Sequence, residues 1–183
     1  GYGTGEGQSL ERPFGHANPA ALASWAGATA SWPNRTDPGG TRGLDDYFTR
    51  DFTNNIGAEI MGRGKFGPQK GPWEDLEWEG WWGDTPPFHT PVYVLTHEKR
   101  EPWVRPGGTT FHFINDGPER ALELAREAAG SRDIRVAGGA DVIQQYLNLG
   151  VVDEMEIALA PVLFGGGRRL FENLREPAPQ FRI

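Results

Sequence analysis

The pattern of hydrophobic and polar positions predicts short strands and amphipathic helices, most clearly in the last third of the chain. An apolar strand at 134–137 runs into Gly138-Gly139, and apolar residues then recur at spacings of three and four, which indicates a helix. Gly150 is placed to end that helix with a left-handed cap. A second buried strand is predicted at 155–160, where a proline follows.

The same reasoning predicts further elements upstream. Asn18 and Pro19 form a helix start, with the asparagine as N-cap and the proline in the first turn. A later helix places four apolar residues on one face: Leu44, Tyr47, Phe48 and Phe52. The remaining predicted elements are strands at 56–61, 91–96 and 109–115 and a helix at 118–129. This order predicts one α/β domain over residues 1–183, with a mainly parallel sheet.

The composition is that of a globular domain with many loops. Of the 183 residues, 37% are hydrophobic and 23% are charged, and the chain has 26 glycines and 15 prolines. A net charge of −7 and a pI near 5.1 argue against a nucleic-acid or anionic-membrane surface. Any anionic ligand must therefore be held by local basic groups or by backbone amides.

Several classes of site and location are excluded by what the sequence lacks. The chain has no cysteine, which excludes a disulfide framework, a thiol nucleophile and a cysteine metal site. The four histidines lack the paired spacing of a zinc motif, so no metal is expected. The sequence has no apolar run long enough for a bilayer and no signal peptide, which predicts a cytoplasmic protein. Asn34-Arg35-Thr36 is a formal glycosylation sequon that we expect to be idle there.

The glycine pair carries the first chemical hypothesis. Gly138 and Gly139 stand between a strand and a helix, where backbone can approach a ligand closely and free N–H groups can face an anion. A tight turn that needs positive φ is the alternative interpretation. The first helical turn, with Ala140, Asp141 and Val142, is expected to complete the site. We expect the Asp141 carboxylate to point away from an anion that it would repel.

Two stretches of this region resemble a known family. VAGGADVIQQYL at 136–147 and GVVDEMEIALAPVLFGGGRRLF at 150–171 are similar to the C-terminal half of the dihydrofolate-reductase-like reductases. The branch is the one that contains the reductase domain of the bacterial bifunctional riboflavin deaminase–reductase. The resemblance covers most of the chain after about Leu44.

The resemblance implies a three-layer fold, in which helices flank a mostly parallel central sheet. It also implies a cis peptide between Gly138 and Gly139, beneath the pyrophosphate of a cofactor. The family begins with an apolar strand that this chain is expected to lack. The glycine-rich opening at 1–7 matches the loop that covers the nicotinamide, with a frayed terminus as the alternative. Residues 181–183 resemble the start of a further strand.

The resemblance further implies an NADPH site at the end of the strand 56–61. Gly62 and Arg63 match the family motif under the adenosine phosphate, because the glycine allows close approach and an arginine fork suits phosphate oxygens. Gly64 and Lys65 continue that stretch. The glycines and prolines that follow argue against a long helix, so we expect the site there to be mostly loop, with a solvated basic loop as the alternative.

A second contact with the adenosine phosphate is implied at the end of the strand 91–96. Thr96 supplies a hydroxyl, and His97 begins a short basic cluster that includes Lys99 and Arg100. A polar strand exit is the alternative interpretation. Together with Arg63, this cluster favours NADPH over NADH, since only NADPH carries a 2′-phosphate.

The substrate side of the cleft is implied on the helix that starts near Leu44. Phe48 is expected to contact the substrate, and Asp45 or Asp46 is a candidate carboxylate for substrate binding or proton donation. Bound water or an aspartate of the absent strand are alternatives for the proton. Two acids in a first helical turn also serve as surface charges that complement the helix dipole.

Two other features leave alternatives open. Four tryptophans lie in a short acidic span: Trp73, Trp78, Trp81 and Trp82. They could form a pocket wall that includes Trp82, cover the core, or form a dimer contact. Gly165 opens a glycine triplet before Arg168-Arg169, which could admit a substrate phosphate. A flexible turn is the alternative there.

The activity implied by the resemblance is hydride transfer from NADPH to a carbon–nitrogen double bond or a ribosylamine-type substrate. The most similar activity is that of 5-amino-6-(5-phosphoribosylamino)uracil reductase in riboflavin biosynthesis. The alternatives are a dihydrofolate reductase acting on a pterin, which needs one buried carboxylate on the 44–54 helix, and a non-catalytic NADP- or flavin-binding module. The expected partners are a small-molecule substrate and, as an open question, a second copy of the chain in a homodimer.

Overall fold

The computed structural model describes residues 1–32 and 35–182. Two sequence predictions fall partly beyond that range. Asn34, the acceptor residue of the predicted sequon, lies outside the described residues, as does Ile183 at the end of the predicted last strand. Residues 181 and 182, which are described, form no strand.

Seven strands form within the described residues, and five of them make one sheet. In chain order they are β1 (Tyr2–Thr4), β2 (Ile56–Gly62), β3 (Pro91–Leu95), β4 (Trp103–Val104), β5 (Thr110–Ile114), β6 (Asp133–Gly138) and β7 (Arg168–Arg169). The sheet order is β4-β5-β3-β2-β6, and β4 alone among these runs antiparallel to its neighbour. β1 and β7 pair separately as an antiparallel ribbon. The predicted mainly parallel sheet is confirmed.

Five α-helices occur in the described part of the chain: α1 (Pro19–Gly27), α2 (Leu44–Arg50), α3 (Arg63–Phe66), α4 (Pro118–Ala129) and α5 (Ala140–Asn148). Asn18 caps α1, since its Oδ1 accepts a hydrogen bond from the Ala20 N–H at 3.0 Å. Gly150 follows α5 with a φ of 66°, as the predicted left-handed cap requires. None of these helices is long and apolar enough to cross a membrane.

The sheet separates two hydrophobic cores, which produces the three-layer arrangement. On one face, α4 and α5 bury Ala125 and Tyr146 against Ala58 and Ile60 of β2. The second core lies on the other face and consists of buried residues from β2, α3, the loop before β3, β3 and β5: Met61, Phe66, Phe88, Val92, Val94, Phe111 and Phe113. β2 and β6 are neighbours, and α3 and α5 start directly at their carboxyl ends. Ligands of parallel sheets bind at such ends.

One predicted strand does not form. Residues 155–160 alternate in hydrophobicity, but they lie outside the sheet and leave the Leu159 side chain 86% exposed. β6 is the last strand of the sheet on its side, and nothing in residues 1–32 and 35–182 pairs with its free edge. The prediction of a buried strand at 155–160 is therefore wrong, because a strand needs a backbone partner as well as a period of two.

The C-terminal segment is attached to α5 through two side chains, the buried Gln144 and Asn148, whose Nδ2 donates a hydrogen bond to the Asn173 carbonyl at 2.9 Å. Gln144 Nε2 donates hydrogen bonds to the carbonyl oxygens of Arg169 and Leu170, both at 3.0 Å. Its Oε1 accepts a hydrogen bond from the Asn173 N–H at 3.2 Å. Gln144 thus fixes the position of residues 169–173 without a strand ladder.

Candidate functional site

The turn between β6 and α5 forms an open backbone surface. The Gly138–Gly139 peptide is cis, as the resemblance implied. Gly138 has a φ of 102°, a conformation that side chains other than glycine rarely adopt. A Cβ placed on Gly139 would meet no heavy atom within 4 Å, so the space beside this residue is open. The turn therefore exposes main chain that a ligand can approach.

The amides that follow the turn are available to an acceptor. The Gly139 carbonyl accepts hydrogen bonds from the N–H groups of Val142 and Ile143, both at 3.1 Å. Within the described residues, the N–H groups of Ala140 and Asp141 have no backbone acceptor. The Asp141 carboxylate pairs with Arg168 at 3.5 Å. Its charge is thus partly offset, and the helix N-terminus keeps free donors for an anion.

Gly62 closes the other side of this surface at the end of β2. A Cβ at Gly62 would lie 2.8 Å from Val142 Cγ2 and 3.8 Å from the Gly139 nitrogen. No side chain fits in that space, so β2 and the start of α5 meet through a glycine. We call the surface formed by Gly62 and residues 138–142 the glycine cradle.

Arg63 turns away from the sheet and onto the loop that follows α3. Its guanidinium carbon lies 3.7 Å from the centre of the Trp73 ring, and Nη1 donates a hydrogen bond to the Gly71 carbonyl. Nε and Nη2 are buried without a hydrogen-bond partner. Arg100 lies beside the same indole and also has a buried, unpartnered nitrogen, Nη1. Burial lowers the pKa of both guanidiniums.

The end of β3 brings the second predicted contact to the same loop. Thr96 is buried, and its Oγ1 accepts a hydrogen bond from the Glu98 N–H at 3.2 Å. His97 is exposed. The Trp73 indole N–H donates to the Glu98 carbonyl at 3.3 Å. Trp73 therefore links the predicted Arg63 and Thr96 regions into one corner of the molecule.

Lys65 does not share the surroundings of Arg63, because the charges that act on it are those of Glu59 and Arg135. Glu59 of β2 and Arg135 of β6 are register partners, and they form a two-point ion pair through Nε, at 3.1 Å, and Nη2. Arg135 also donates to the Phe52 carbonyl through Nη1. Desolvation by the surrounding protein atoms lowers the pKa of Lys65, and the Arg135 charge adds to that effect while the Glu59 charge opposes it. The predicted cofactor contact of Lys65 stays a prediction.

The comparison with known proteins agrees with this geometry. A sequence profile of the RibD C-terminal domain matches residues 27–183, which is most of the chain. The chain belongs to the RibD C-terminal domain family. This family is one of dihydrofolate-reductase-like reductases, so the resemblance stated from the two sequence stretches is confirmed.

Relatives of this RibD C-terminal domain occur in Bacillus subtilis (strain 168). The uncharacterized protein YyaP is 29% identical over 136 residues, which cover 69% of this chain and 65% of YyaP. The uncharacterized protein YwjB is 34% identical over 62 residues, which cover 34% of this chain and 35% of YwjB. The domain thus spans less than two thirds of the length of these curated relatives.

The two candidate carboxylates of this RibD C-terminal domain have different surroundings. Asp46 is buried, and its Oδ1 accepts a hydrogen bond from the Ser31 N–H at 2.8 Å. Burial favours a higher pKa for Asp46, but the Ser31 hydrogen bonds and the charges of Arg42 and Arg50 outweigh it and lower the pKa. Asp46 is therefore an anion that anchors the turn after α1, which speaks against a role as acid. Asp45 is exposed, and its catalytic role stays a prediction.

The apolar face of α2 is turned outward. Leu44 is 72% exposed, and Tyr47 and Phe48 are also exposed, whereas Thr49 and Asp46 are buried. The predicted helix is present, but packing inverts the expected orientation of its faces. The Phe48 ring contacts Tyr47 edge-on with 5.4 Å between centroids. These rings remain available to a ligand, and the substrate contact of Phe48 stays a prediction.

The tryptophan cluster covers the second core. Trp82 packs against Phe88 and Phe111, with centroid distances of 4.8 and 6.2 Å. The Trp78 indole N–H donates to the Phe66 carbonyl at 3.4 Å. Of the three interpretations of this cluster, core cover is the one that these contacts support, while the substrate contact of Trp82 stays a prediction. A homodimer stays a prediction.

The glycine triplet at 165–167 packs against the N-terminal segment. A Cβ at Gly167 would lie 2.1 Å from the Thr4 carbonyl oxygen, and one at Gly166 would lie 3.5 Å from the Glu6 carboxylate. Gly165 has a φ of 76°. A Cβ at Gly165 itself would meet no heavy atom within 4 Å, so the packed part of the turn is Gly166-Gly167 and the substrate role of Gly165 stays a prediction.

The glycine-rich opening is held at both ends. Gln8 Nε2 donates a hydrogen bond to the Gly64 carbonyl at 3.3 Å, beside the glycine cradle. His16 Nε2 lies 2.9 Å from the Phe164 carbonyl oxygen. Tyr2 and Thr4 also pair with Arg169 and Arg168 in the β1–β7 ribbon, which does not fit a frayed terminus. The position of this segment over a cofactor stays a prediction.

The Glu59–Arg135 pair was missed by the sequence reasoning. Glu59 is 1% exposed and stands in the middle of the apolar strand β2. Burial raises the pKa of Glu59, while the charge and hydrogen bonds of Arg135 oppose that rise. The sequence contains an indication of this pair: Glu59 is the single acid in the apolar strand β2, and Arg135 is the single base in β6. Buried charges need partners, so the two could have been paired.

Proposed function

We propose that this chain is an NADPH-dependent reductase that delivers a hydride to a carbon–nitrogen double bond. The observation that carries the proposal is the glycine cradle, where Gly62 and Gly139 leave open backbone at the carboxyl ends of β2 and β6. Free N–H groups and the positive end of a helix make such a surface suitable for a pyrophosphate. Membership in a family of dihydrofolate-reductase-like reductases supports the same activity.

The residues present fit NADPH at both ends of the expected site. At the pyrophosphate end, the open space at Gly139 adjoins the free amides of Ala140 and Asp141. At the adenosine end, Arg63 and Arg100 bring two positive charges together with buried nitrogens that have no acceptor. A phosphate beside this pair would offset the two positive charges and relieve the repulsion between the guanidiniums. This supports NADPH over NADH, because only NADPH carries a 2′-phosphate.

Bound NADPH would supply the hydride, and the residues of the chain would place the reactants. The exposed rings of Tyr47, Phe48 and Phe52 offer an apolar surface that suits a flat heterocycle. We therefore propose 5-amino-6-(5-phosphoribosylamino)uracil, or a close ribosylamine, as the substrate. Reduction of a pterin is the second candidate, but it needs a buried carboxylate that can pair with the ring. The Asp46 carboxylate already accepts the Ser31 N–H, which favours the ribosylamine.

The experiment is a titration of the protein with NADPH and, as a matched control, with NADH. Trp73 lies beside Arg63, so we expect bound NADPH to quench tryptophan emission and to gain nicotinamide emission by energy transfer. NADH should give the same signals only at much higher concentration. The ribosylaminopyrimidine phosphate and dihydrofolate are then added separately, and oxidation of NADPH is followed by absorbance.

The outcomes separate the three hypotheses. Oxidation with the ribosylaminopyrimidine supports the proposed reductase, and oxidation with dihydrofolate alone supports the pterin alternative. Binding of NADPH without oxidation by either substrate supports a non-catalytic NADP-binding module. Absence of any NADPH signal would overturn the proposal, including the assignment of the glycine cradle.

A further inference from the structure

The strand β7 is held against the helix that begins at the glycine cradle. Gln144, in the middle of α5, donates hydrogen bonds to the carbonyl oxygens of Arg169 and Leu170, both at 3.0 Å. Gly167, the residue before β7, lies so close to β1 that a Cβ there would be 2.1 Å from the Thr4 carbonyl oxygen. The backbone of β7 is therefore fixed on two sides, by α5 and by β1.

The two arginines of β7 have different surroundings, because successive side chains of a strand point to opposite sides. Arg168 Nη1 lies 3.5 Å from Oδ2 of Asp141, which belongs to the first turn of α5 and to the glycine cradle. The guanidinium carbon of Arg169 lies 5.9 Å from the centre of the Tyr2 ring in β1. Of the two, Arg168 is thus the arginine placed at the cradle, and Arg169 is its matched control.

The ion pair between Arg168 and Asp141 is loose. Its nitrogen–oxygen distance of 3.5 Å is longer than the usual N–H···O hydrogen bond of about 2.7–3.2 Å. The two side chains are 64% and 63% exposed, and exposed ion pairs contribute little to stability. The Arg168 guanidinium can therefore leave the carboxylate for a stronger acceptor nearby.

A pyrophosphate bridge is an anion, and the cradle backbone offers it donors but no full positive charge. The free N–H groups of Ala140 and Asp141 carry partial charges, while the Asp141 carboxylate brings a negative charge into the same turn. Arg63 stacks on Trp73 in the loop after α3. Among the ion pairs within residues 1–32 and 35–182, that of Arg168 is the one that reaches the cradle.

We propose that Arg168 binds the pyrophosphate of the dinucleotide, and this inference rests on the proposed function. In the free protein the Asp141 carboxylate keeps the guanidinium beside the cradle. When a pyrophosphate occupies the cradle, the guanidinium turns from Asp141 to the phosphate oxygens, which suit its planar fork of donors. Arg168 is thereby assigned to the cofactor rather than to the substrate phosphate that the sequence also allowed.

The first test compares Arg168→Gln with Arg169→Gln in fluorescence titrations with NADPH and NADH. Both nucleotides contain the pyrophosphate, so we expect Arg168→Gln to weaken both by the same factor, about 10- to 100-fold. Arg169→Gln should bind both as the wild type does. Arg63→Ala provides the contrast, because its loss should fall mainly on NADPH. Normal affinity in Arg168→Gln, a loss confined to NADPH, or an equal loss in Arg169→Gln would overturn the assignment.

The second test separates a contact with the pyrophosphate from simple neutralisation of Asp141. Asp141→Asn removes the carboxylate, and the double variant Asp141→Asn with Arg168→Gln removes both charges. If Arg168 binds the pyrophosphate, the double variant should bind NADPH at least about 10-fold more weakly than Asp141→Asn alone. Equal affinities of these two variants would show that Arg168 only offsets the Asp141 charge, which would refute the proposal.

Calorimetric titration with inorganic pyrophosphate separates failure of this inference from failure of the proposed function. If the wild type and Arg168→Gln bind NADPH equally, the reductase stands and the role of Arg168 is refuted. If the wild type binds pyrophosphate but no NADPH, and Arg168→Gln abolishes that binding, the anion site stands and the proposed function fails. If the wild type binds neither, both fail. Urea unfolding should give the same midpoint for Arg168→Gln and the wild type, since an exposed ion pair contributes little to stability.

Discussion

At the residue scale, the glycines of the cradle are required for different physical reasons. Gly138 adopts a positive φ, Gly62 has no room for a Cβ beside Val142, and Gly139 has an ordinary φ and open space. A side chain at Gly138 or Gly62 therefore strains the fold, whereas one at Gly139 only occupies the open space where we propose that the cofactor binds. Gly139 is thus the position at which binding can be removed without loss of structure.

We expect Gly139→Val to abolish NADPH binding while the unfolding transition stays within about 1 kcal/mol of the wild type. The valine side chain would fill the open side of the cradle, and the backbone there is compatible with it. Fluorescence titration and urea unfolding measure the two effects. Gly27→Val, at another glycine with open space, is the control and should bind normally. Normal affinity in Gly139→Val would refute the cradle.

We expect Arg63→Ala to weaken NADPH binding by about 10- to 100-fold, the loss expected for charge-assisted hydrogen bonds, and to change NADH binding far less. Arg63 also stacks on Trp73 and bonds to Gly71, so some stability should be lost as well. Ratios of the two dissociation constants remove that common effect. Equal losses for both nucleotides would assign Arg63 to the loop alone.

Local chemistry made part of the site predictable at this scale. The glycine pair and the Asn18 cap were found from sequence because a few adjacent residues determine them. The direction of the Arg63 side chain was not predictable, since it depends on an indole ten positions away in a loop of irregular structure. The binding of Asp46 to Ser31 likewise depends on how α1 and α2 meet.

At the element scale, the pairing of β2 with β6 determines where charge can be buried. Glu59 and Arg135 are register partners, so a shift of one residue would leave both charges without a partner in the sheet. The pair thus specifies the alignment of the two strands whose ends form the cradle. Hydrophobic periodicity predicted both strands, but it contains no information on which strands are neighbours.

We expect Glu59→Leu to lower the free energy of unfolding by about 3 kcal/mol, because it leaves the partly buried Arg135 guanidinium without a counter-charge. The double variant Glu59→Leu with Arg135→Met removes both charges and should lose much less. Urea unfolding of the wild type, Glu59→Leu, Arg135→Met and the double variant completes a mutant cycle. Equal destabilisation in Glu59→Leu and the double variant would show that packing, rather than unpaired charge, is responsible.

Element-level prediction was weakest where burial was assigned from pattern alone. The 155–160 segment and the outer face of α2 both have apolar periodicity, yet Leu159 and Leu44 are exposed. In both cases the pattern correctly reports an apolar face. It cannot report whether another element covers that face, because the partner belongs to the tertiary structure.

At the scale of the whole molecule, the order of helices and strands was sufficient to predict the α/β class. Alternating strands and helices lead to parallel pairing through crossovers, and β2, β3, β5 and β6 are parallel as expected. The ribbon of β1 and β7 joins the first residues of the chain to the segment after α5 through two or three residues each. Strands of two or three residues are too short to show a period in the sequence, and their pairing partner lies far away along the chain. The sequence therefore contains no indication of this ribbon.

The stability of the whole molecule should depend on pH through His112. This side chain stacks on Tyr93 at 5.2 Å between centroids, and burial lowers its pKa from the ordinary histidine value. As the pH falls, His112 is therefore protonated in the unfolded chain at a higher pH than in the folded chain. Stability from neutral His112 is present above the ordinary pKa and is lost as the pH falls through the lowered one.

The variant His112→Phe keeps an aromatic ring against Tyr93 but cannot be protonated. We expect its free energy of unfolding to decrease less than that of the wild type when the pH is lowered from neutral to mildly acidic. Urea unfolding at a series of pH values from neutral to mildly acidic measures that slope. His97→Gln, at an exposed histidine, is the control and should keep the wild-type slope. An unchanged slope in His112→Phe would assign the acid sensitivity to other groups.

The anchoring of residues 169–173 by Gln144 has a consequence for protein engineering. The Gln144 amide makes four hydrogen bonds to the tail, each worth about 1 kcal/mol net, and Asn148 makes two more from the end of α5. The double change Gln144→Leu with Asn148→Ala would release this end of the polypeptide while the five-stranded sheet keeps all its pairings. A fluorophore attached near Arg175 would then report detachment of the tail separately from global denaturation.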